Sequence, residues 1–365
     1  MRRSGRPMVR DYSAFLPGAA PARRAPTALD RLGWGPAFAR QIDTDALIAT
    51  PPVRVVAVHR SGLQVAGDGN LETIPPGPDA TVGDWLLLDP ARPRSSRVLD
   101  RKSLIKRRAP GTGREVQLIA ANIDTVFVVT SCNADFNMAR LERFVALAFE
   151  AGIEPVIVLT KADLVEDTAP YVDDARSVSE RVSVVALDAR GEEPAGVLAD
   201  WCKPGRTVAF LGSSGVGKST LTNALLGAQA IATQGIREDD AKGRHTTTAR
   251  ELHVTPGGCL VLDTPGMREL QLTDVASGIA DVFEDIEALA ANCRFNDCRH
   301  EAEPGCAVLA AIEDGSLNPA RLARWRKLQA EDAFNSASLA ERREKDRAFG
   351  KMVRGVMKQK LARKR

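Results

Sequence analysis

Two short motifs stand in an order that restricts the fold of this chain more than any other feature. Gly212-Ser213-Ser214-Gly215-Val216-Gly217-Lys218-Ser219 has the form GxxxxGK[ST], a phosphate-binding loop. Thr160-Lys161-Ala162-Asp163, of the base-reading form TKxD, lies about fifty residues before it. The usual chain order is the reverse. Each motif follows an apolar, strand-like run, Arg206–Leu211 for the first and Glu154–Leu159 for the second. Together they imply an α/β nucleotide-binding sheet whose connectivity is circularly permuted.

The loop's setting supports its chemistry. Ser219-Thr220-Leu221-Thr222-Asn223-Ala224-Leu225-Leu226 reads as a helix closed by Gly227. Glycines let the backbone curl so that N–H groups point at phosphate oxygens, and the helix N-terminus adds partial positive charge. Lys218 is expected to reach the β- and γ-phosphates as the catalytic cation, and the Ser219 hydroxyl to bind Mg²⁺ beside Thr220. A glycine-rich turn without ligand is the competing reading, and it leaves the Lys-Ser pair unexplained.

A phosphate loop does not distinguish ATP from GTP, but the second motif does. The Asp163 carboxylate can accept from guanine N1–H and the exocyclic amine, a donor pair adenine lacks. The Lys161 stem is expected to lie across the base. The alternative for Asp163 is a helix cap in a solvated turn. A further strand, Val182–Leu187, delivers Asp188-Ala189-Arg190-Gly191, where Ala189 is expected to present its N–H to guanine O6; Asp188 stands where a Ser is usual.

Two more loops belong to the same site. Gly258–Leu262 delivers Asp263-Thr264-Pro265-Gly266, with Asp263 expected to meet Mg²⁺ through water and the Gly266 N–H to sense the γ-phosphate. Gly243-Arg244-His245-Thr246-Thr247-Thr248 offers Thr247 as a further Mg²⁺ ligand. Such loops are ordered by the γ-phosphate and released on hydrolysis. Many GTPases orient the attacking water with a Gln two residues after the glycine corresponding to Gly266. Arg268 stands there instead, so His245 is the candidate within the chain, or a partner supplies the group.

Cys293, Cys298, His300 and Cys306 are spaced C-x4-C-x-H-x5-C. Three thiolates and an imidazole make a closed tetrahedral set suited to one structural Zn²⁺. Cys132, Cys202 and Cys259 sit in or near apolar runs and read as small core residues. The basic start Met1–Arg6 has no apolar segment behind it, and no apolar run approaches the ~18 residues that a membrane-spanning helix needs. A reducing cytoplasm and no membrane partner are the expectation.

Net charge is only +3, yet it is unevenly spread. Residues 101–114 hold six basic side chains and no acidic one, and residues 351–365 hold seven and none. Such stretches suit nucleic-acid phosphates, or are simply solvated tails. The chain divides into a basic extension (1–45) with a short helix near Leu29–Gln41, a run of short strands (46–103) suited to an OB-type β-barrel, an alternating α/β region (104–272), a helical zinc-binding region (273–335) and a basic helical tail (336–365).

A small barrel, a permuted nucleotide-binding domain and a Cys3His module in this order resemble the ribosome-small-subunit-dependent GTPase A (RsgA) family. The resemblance covers about residues 50–330 and rests on Thr160–Asp163, Gly212–Thr220, Gly243–Thr248, Asp263–Gly266 and Cys293/Cys298/His300/Cys306. Thr160 stands where many relatives have Asn. The resemblance implies a monomeric GTP hydrolase acting late in assembly of the 30S subunit. It further implies contact with 16S rRNA, stimulation of turnover by that subunit, and binding controlled by the GTP or GDP state. An ATP-dependent enzyme and an RNA-binding scaffold with structural nucleotide are the rival classes.

Overall fold

Alternation along the central strands dictates the layering. The computed structural model describes residues 25–43, 47, 49–59, 61–108, 116–191, 194–227, 250–263 and 274–336. Two short helices, α1 (Ala28–Arg31) and α2 (Pro36–Ala39), precede β1 (Pro52–His59), β2 (Gly62–Ala66), β3 (Leu71–Ile74), β4 (Trp85–Leu87) and β5 (Arg97–Val98). The single helix expected near Leu29–Gln41 is therefore broken in two. Gly33 turns at φ +84°, where a Cβ would stand 2.6 Å from the Gly205 carbonyl oxygen. Pro36 then restarts the helix at its first position.

Strands β3-β2-β1-β4-β5 form an antiparallel sheet around Val53, Val55, Leu63, Val65, Ile74, Leu86 and Leu88. A ribbon, β6 (Leu104–Arg108) with β7 (Val116–Ala121), leads onward. The α/β region follows: β8 (Thr125–Ser131), α3 (Met138–Glu150), β9 (Glu154–Thr160), α4 (Ala169–Arg176), β10 (Ser183–Ala186), α5 (Pro194–Val197), β11 (Thr207–Gly212), α6 (Lys218–Leu226), β12 (Arg250–Val254) and β13 (Leu260–Asp263). Its strand order is β10-β9-β8-β11-β13-β12, parallel except for β12. β12 also pairs antiparallel with β1, through Ala57–Glu251 and Val58–Arg250, so one eleven-stranded sheet runs through both regions.

Side chains alternate across this sheet as strand pleating requires. Val126, Val128, Ala209, Leu211 and Leu262 face one core, which α3 closes with Leu141, Phe144, Val145 and Ala148, an i, i+3, i+4, i+7 stripe. Phe127, Val129, Val208, Phe210 and Val261 face the other, closed by Leu221 and Leu225 of α6. Each large side chain buried this way contributes about 1.5–3 kcal/mol. The C-terminal region adds α7 (Ala276–Val282), α8 (Glu284–Ala290), α9 (Ala307–Glu313) and α10 (Pro319–Ser336), which lays Leu322, Trp325 and Leu328 on the α3 side of the sheet. Among the described residues no helix is long and apolar enough to cross a membrane.

Helices α7 and α3 meet almost backbone to backbone. A Cβ on Gly278 would lie 2.0 Å from the Ala146 carbonyl oxygen, a contact no rotamer relieves. Gly278→Ala should therefore destabilise the fold by about 2–3 kcal/mol through overpacking. A chemical-denaturation midpoint equal to that of the parent chain would show that the helices can separate freely.

Candidate nucleotide and metal sites

The C-terminal ends of the parallel strands carry the TKxD and GxxxxGK[ST] motifs, and the sheet brings them together. Strand β9 delivers Thr160 and Lys161; β11 delivers Gly212 and the loop after it. A cavity of about 430 Å³ is lined by Thr160, Lys161, Asp163, Ala189, Ser214, Gly215, Gly217, Lys218, Ser219 and Thr220. Asp188, Leu164 and Arg190 line it as well.

Local chemistry explains the loop's shape. Gly212 ends β11 at φ +145°, and a Cβ there would come within 2.2 Å of the Val129 carbonyl oxygen. Gly215 and Gly217 turn at φ +79° and +96°, and Gly217 caps α6, so the first turn of that helix opens onto the cavity. The Lys218 ammonium donates to the Ser213 carbonyl. Val216 points away into the core beneath α6, only 1% exposed.

The base-reading loop is tied to the phosphate loop by one hydroxyl. Thr160 is fully buried, and its Oγ1 lies 2.7 Å from the Val216 carbonyl and 3.0 Å from the Thr130 carbonyl. Its one proton serves a single acceptor at a time, and the Val216 contact is the shorter. The hydroxyl at this position thus joins β9 to the phosphate loop. Lys161 follows at φ 58° and ψ 33°, a left-handed conformation costing about 1 kcal/mol or more for a residue with a side chain. Ala162–Leu164 form a tight turn that sets Asp163 beside the cavity.

The next loop shows why Asp can replace Ser at position 188. Asp188 Oδ1 accepts the Arg190 N–H at 2.8 Å, a self-capping turn that either side chain can make. That turn holds Ala189 near the phosphate loop: a Cβ on Gly217 would sit 3.6 Å from the Ala189 Cβ. Leu164 and Arg190 were not singled out from sequence; their positions directly after the two base-side motifs were the available signal. Asp263 ends β13, paired in register with Glu251. His245, Thr247 and Gly266 lie outside the described residues.

Cys293, Cys298, His300 and Cys306 converge as their spacing implied, with ligand atoms all within 4.8 Å of one another. His300 Nδ1 is 3.3 Å from Cys306 Sγ and 3.6 Å from Cys293 Sγ. His300 adopts φ 58°, and Arg326 donates to its backbone carbonyl. The Glu303 carboxylate accepts the Arg299, Glu301 and Ala302 N–H groups, led by Arg299, which holds its pKa at about 2 and closes the loop. The Cys298 thiol is pushed up to about 11, first by lost solvation and also by Cys306 and Cys293 beside it. Three crowded thiols ionise together only around a cation, so this set could hold a metal ion.

Comparison with known proteins agrees with this geometry. Residues 98–273 match the family model described as RsgA GTPase. The small ribosomal subunit biogenesis GTPase RsgA 2 of Vibrio parahaemolyticus is 50% identical over 338 residues, covering 92% of this chain and 94% of the relative. The small ribosomal subunit biogenesis GTPase RsgA of Mesorhizobium japonicum is 51% identical, over 85% of this chain and 91% of its own. Among solved structures, YjeQ from Thermotoga maritima aligns with a TM-score of 0.56 at 26% identity, over 76% of this chain and 96% of that one. YloQ, a circularly permuted GTPase, aligns with a TM-score of 0.53 at 23% identity, over 79% and 96%, a likeness of fold.

The Thr160 bridge is open to a direct test. Thr160→Val keeps the shape but leaves both carbonyls without the hydroxyl, so guanine-nucleotide affinity should fall about tenfold, the equivalent of ~1.4 kcal/mol. Thr160→Ser should retain it. Titration with a fluorescent guanine nucleotide reads both, and equal affinity for the Val variant would remove the bridge from the site's design.

Proposed function

The chain belongs to the RsgA GTPase family, and from that premise we propose that it hydrolyses GTP to GDP and phosphate during late maturation of the 30S ribosomal subunit. The observation that carries the reading is the single cavity shared by Thr160-Lys161-Ala162-Asp163 and the Gly212–Thr220 loop. Asp163 reads the guanine edge, Lys161 lies along the base and the Ala189 N–H meets O6. The loop N–H groups and Lys218 hold the phosphates and neutralise charge that develops as the γ-phosphoryl transfers. Ser219, Thr247 and, through water, Asp263 would hold Mg²⁺, which supplies further neutralisation of the phosphate oxygens. Orientation of the attacking water is assigned to His245 or to a group on the ribosomal partner, because Arg268 occupies the position a Gln fills elsewhere.

The Cys3His set is read as one structural zinc. A tetrahedral zinc with ~2.3 Å sulfur bonds sets its sulfurs ~3.8 Å apart. Cys293 Sγ and Cys306 Sγ stand 3.8 Å apart. All four positions are filled by protein, so no site is left for catalysis. The basic residues of 101–114 and 351–365 are proposed to contact 16S rRNA, with binding and release set by the nucleotide state. The proposed domains are a basic extension (1–45), a small barrel (46–103), the permuted GTPase domain (104–272), a zinc-binding domain (273–335) and a basic tail (336–365), and a monomer in the cytoplasm fits a factor that works on a subunit many times its size.

Two outcomes are expected. The purified chain should carry one zinc, and Cys306→Ser or strong chelation should remove it and lower the thermal midpoint of the C-terminal helices; an unchanged metal content would discard the assignment. GTP turnover should rise strongly with 30S subunits but not with 50S subunits or naked RNA. Turnover indifferent to all three would leave a GTPase whose partner is something else.

A further inference from the structure

The contacts of helix α3 extend beyond its place in the core. Arg140, in its first turn, donates from its guanidinium to Ser213 Oγ in the phosphate loop at 2.7 Å. Ser213 is also the residue whose carbonyl receives the Lys218 ammonium. Two cations thus hold one residue of the loop, one through its side chain and one through its backbone. A cation in the first turn opposes the helix dipole, so Arg140 is not placed there for the helix's own stability.

Two and three residues further along, the same helix is held by the C-terminal region. Glu142 has a fully buried carboxylate that accepts from Arg324 Nε at 2.8 and 2.9 Å and lies 3.5 Å from Arg321. Arg143 pairs with Glu331 at 2.6 Å. Arg321 in turn donates to Asp285 and to the Val282 carbonyl, binding α10 to α7 and α8. A single helical turn therefore carries the phosphate-loop contact and both contacts to α10.

Resting on the GTPase reading above, we propose that Arg140 is a positioning residue for the phosphate loop, and that α3 couples it to the seating of the C-terminal metal-cluster helices. Arg140 fixes the Ser213 peptide so that the loop's N–H groups are aimed before nucleotide arrives. The Glu142–Arg324 pair fixes the rotation and height of α3, and through them the reach of Arg140. Displacing α10 then alters hydrolysis at a site it does not touch.

The test uses the full chain and a set of variants: Arg140→Ala, Ser213→Ala, their double, Arg324→Ala, and Arg140→Ala with Arg324→Ala. Arg140 is exposed, so Arg140→Ala should leave the melting temperature unchanged. It should lower kcat for GTP about tenfold while KM shifts less than about threefold. Ser213→Ala should add nothing to Arg140→Ala. Arg324→Ala should lower kcat about threefold when Arg140 is present and not when it is absent. Arg324→Lys keeps the charge pair should the Ala variant fold poorly, and should show the same dependence on Arg140 in smaller measure. Wild-type kcat in Arg140→Ala, or an Arg324 effect of equal size in both backgrounds, would overturn the proposal. A parent chain that binds guanine nucleotide without turnover would strike the hydrolase reading instead, which no result at Arg140 can mimic.

Discussion

The geometry of the nucleotide site depends on a guanidinium buried some distance from it. Arg54, in β1, is 1% exposed and donates to the Leu32 carbonyl at 2.6 Å, Thr207 Oγ1 at 2.9 Å, and the Gly83 and Asn122 carbonyls at 3.2 Å each. These acceptors belong to the N-terminal helical segment, the phosphate-loop strand β11, the turn before β4 and the residue after β7. Burial lowers its pKa to about 10, partly offset by Asp124 and Asp84, so it stays charged at neutral pH. Asp84 is bound by Arg101, and Asp124 by Lys102 and the Thr207 N–H. Removing one member of such a network leaves uncompensated charge, typically at a cost of 3–5 kcal/mol. The fork geometry of the guanidinium also fixes where β11 starts relative to β1. The antiparallel sheet and the phosphate loop are thereby held as one body, consistent with the β1–β12 pairing.

Those parts of the fold that repeat a local rule were legible in the sequence. Apolar runs became the parallel strands, glycines at Gly212, Gly215 and Gly217 became positive-φ turns, and the C-x4-C-x-H-x5-C spacing closed into one cluster. The Leu29–Gln41 helix was misread because its break is decided from outside: Gly33 must pass within van der Waals distance of Gly205, far along the chain. The joining of the two sheets through β1 and β12 was likewise invisible, since no periodicity in one strand announces which partner it will pair with. Within the site, Thr160 looked like a departure from an Asn pattern. Only the fold shows that a hydroxyl reaches Val216. Arg140 had no local signal at all, being 73 residues from Ser213.

The two ends of the molecule solve the problem of crowded charge in different ways. At the phosphate loop, backbone N–H groups and Lys218 converge on the cavity, which suits a polyanion. At the cysteine cluster, donors of one kind converge, which suits a cation. Each site is held in shape by contacts of the protein with itself. Thr160 and the Asp188 turn support the first. His300's left-handed backbone and the Glu303 carboxylate, which accepts three backbone N–H groups, support the second. Such support keeps the site assembled in the absence of ligand, so binding costs less ordering.

The buried charges between α3 and α10 raise the question of why an apolar contact was not used. Burial drives the Glu142 pKa upward, and only the Arg324 and Arg321 contacts oppose that. Well-packed leucines would hold two helices at least as strongly. They would do so over a range of sliding positions, because dispersion contacts are nearly as good after a small shift. A carboxylate between two guanidinium groups admits far fewer arrangements, since each hydrogen bond has a direction as well as a length. The consequence is a defined register between α3 and the metal-cluster helices. Helix α7 reinforces it from the other side, with Gly278 against Ala146 and the Gly278 N–H donating to Glu150 at 3.0 Å. Because α7 begins at Ala276, shortly after β13 ends at Asp263, the permuted chain order connects these helices to the sheet by sequence as well as by packing. Fixed register, rather than added stability, is what a helix needs if the position of one of its side chains against a phosphate loop is to carry information.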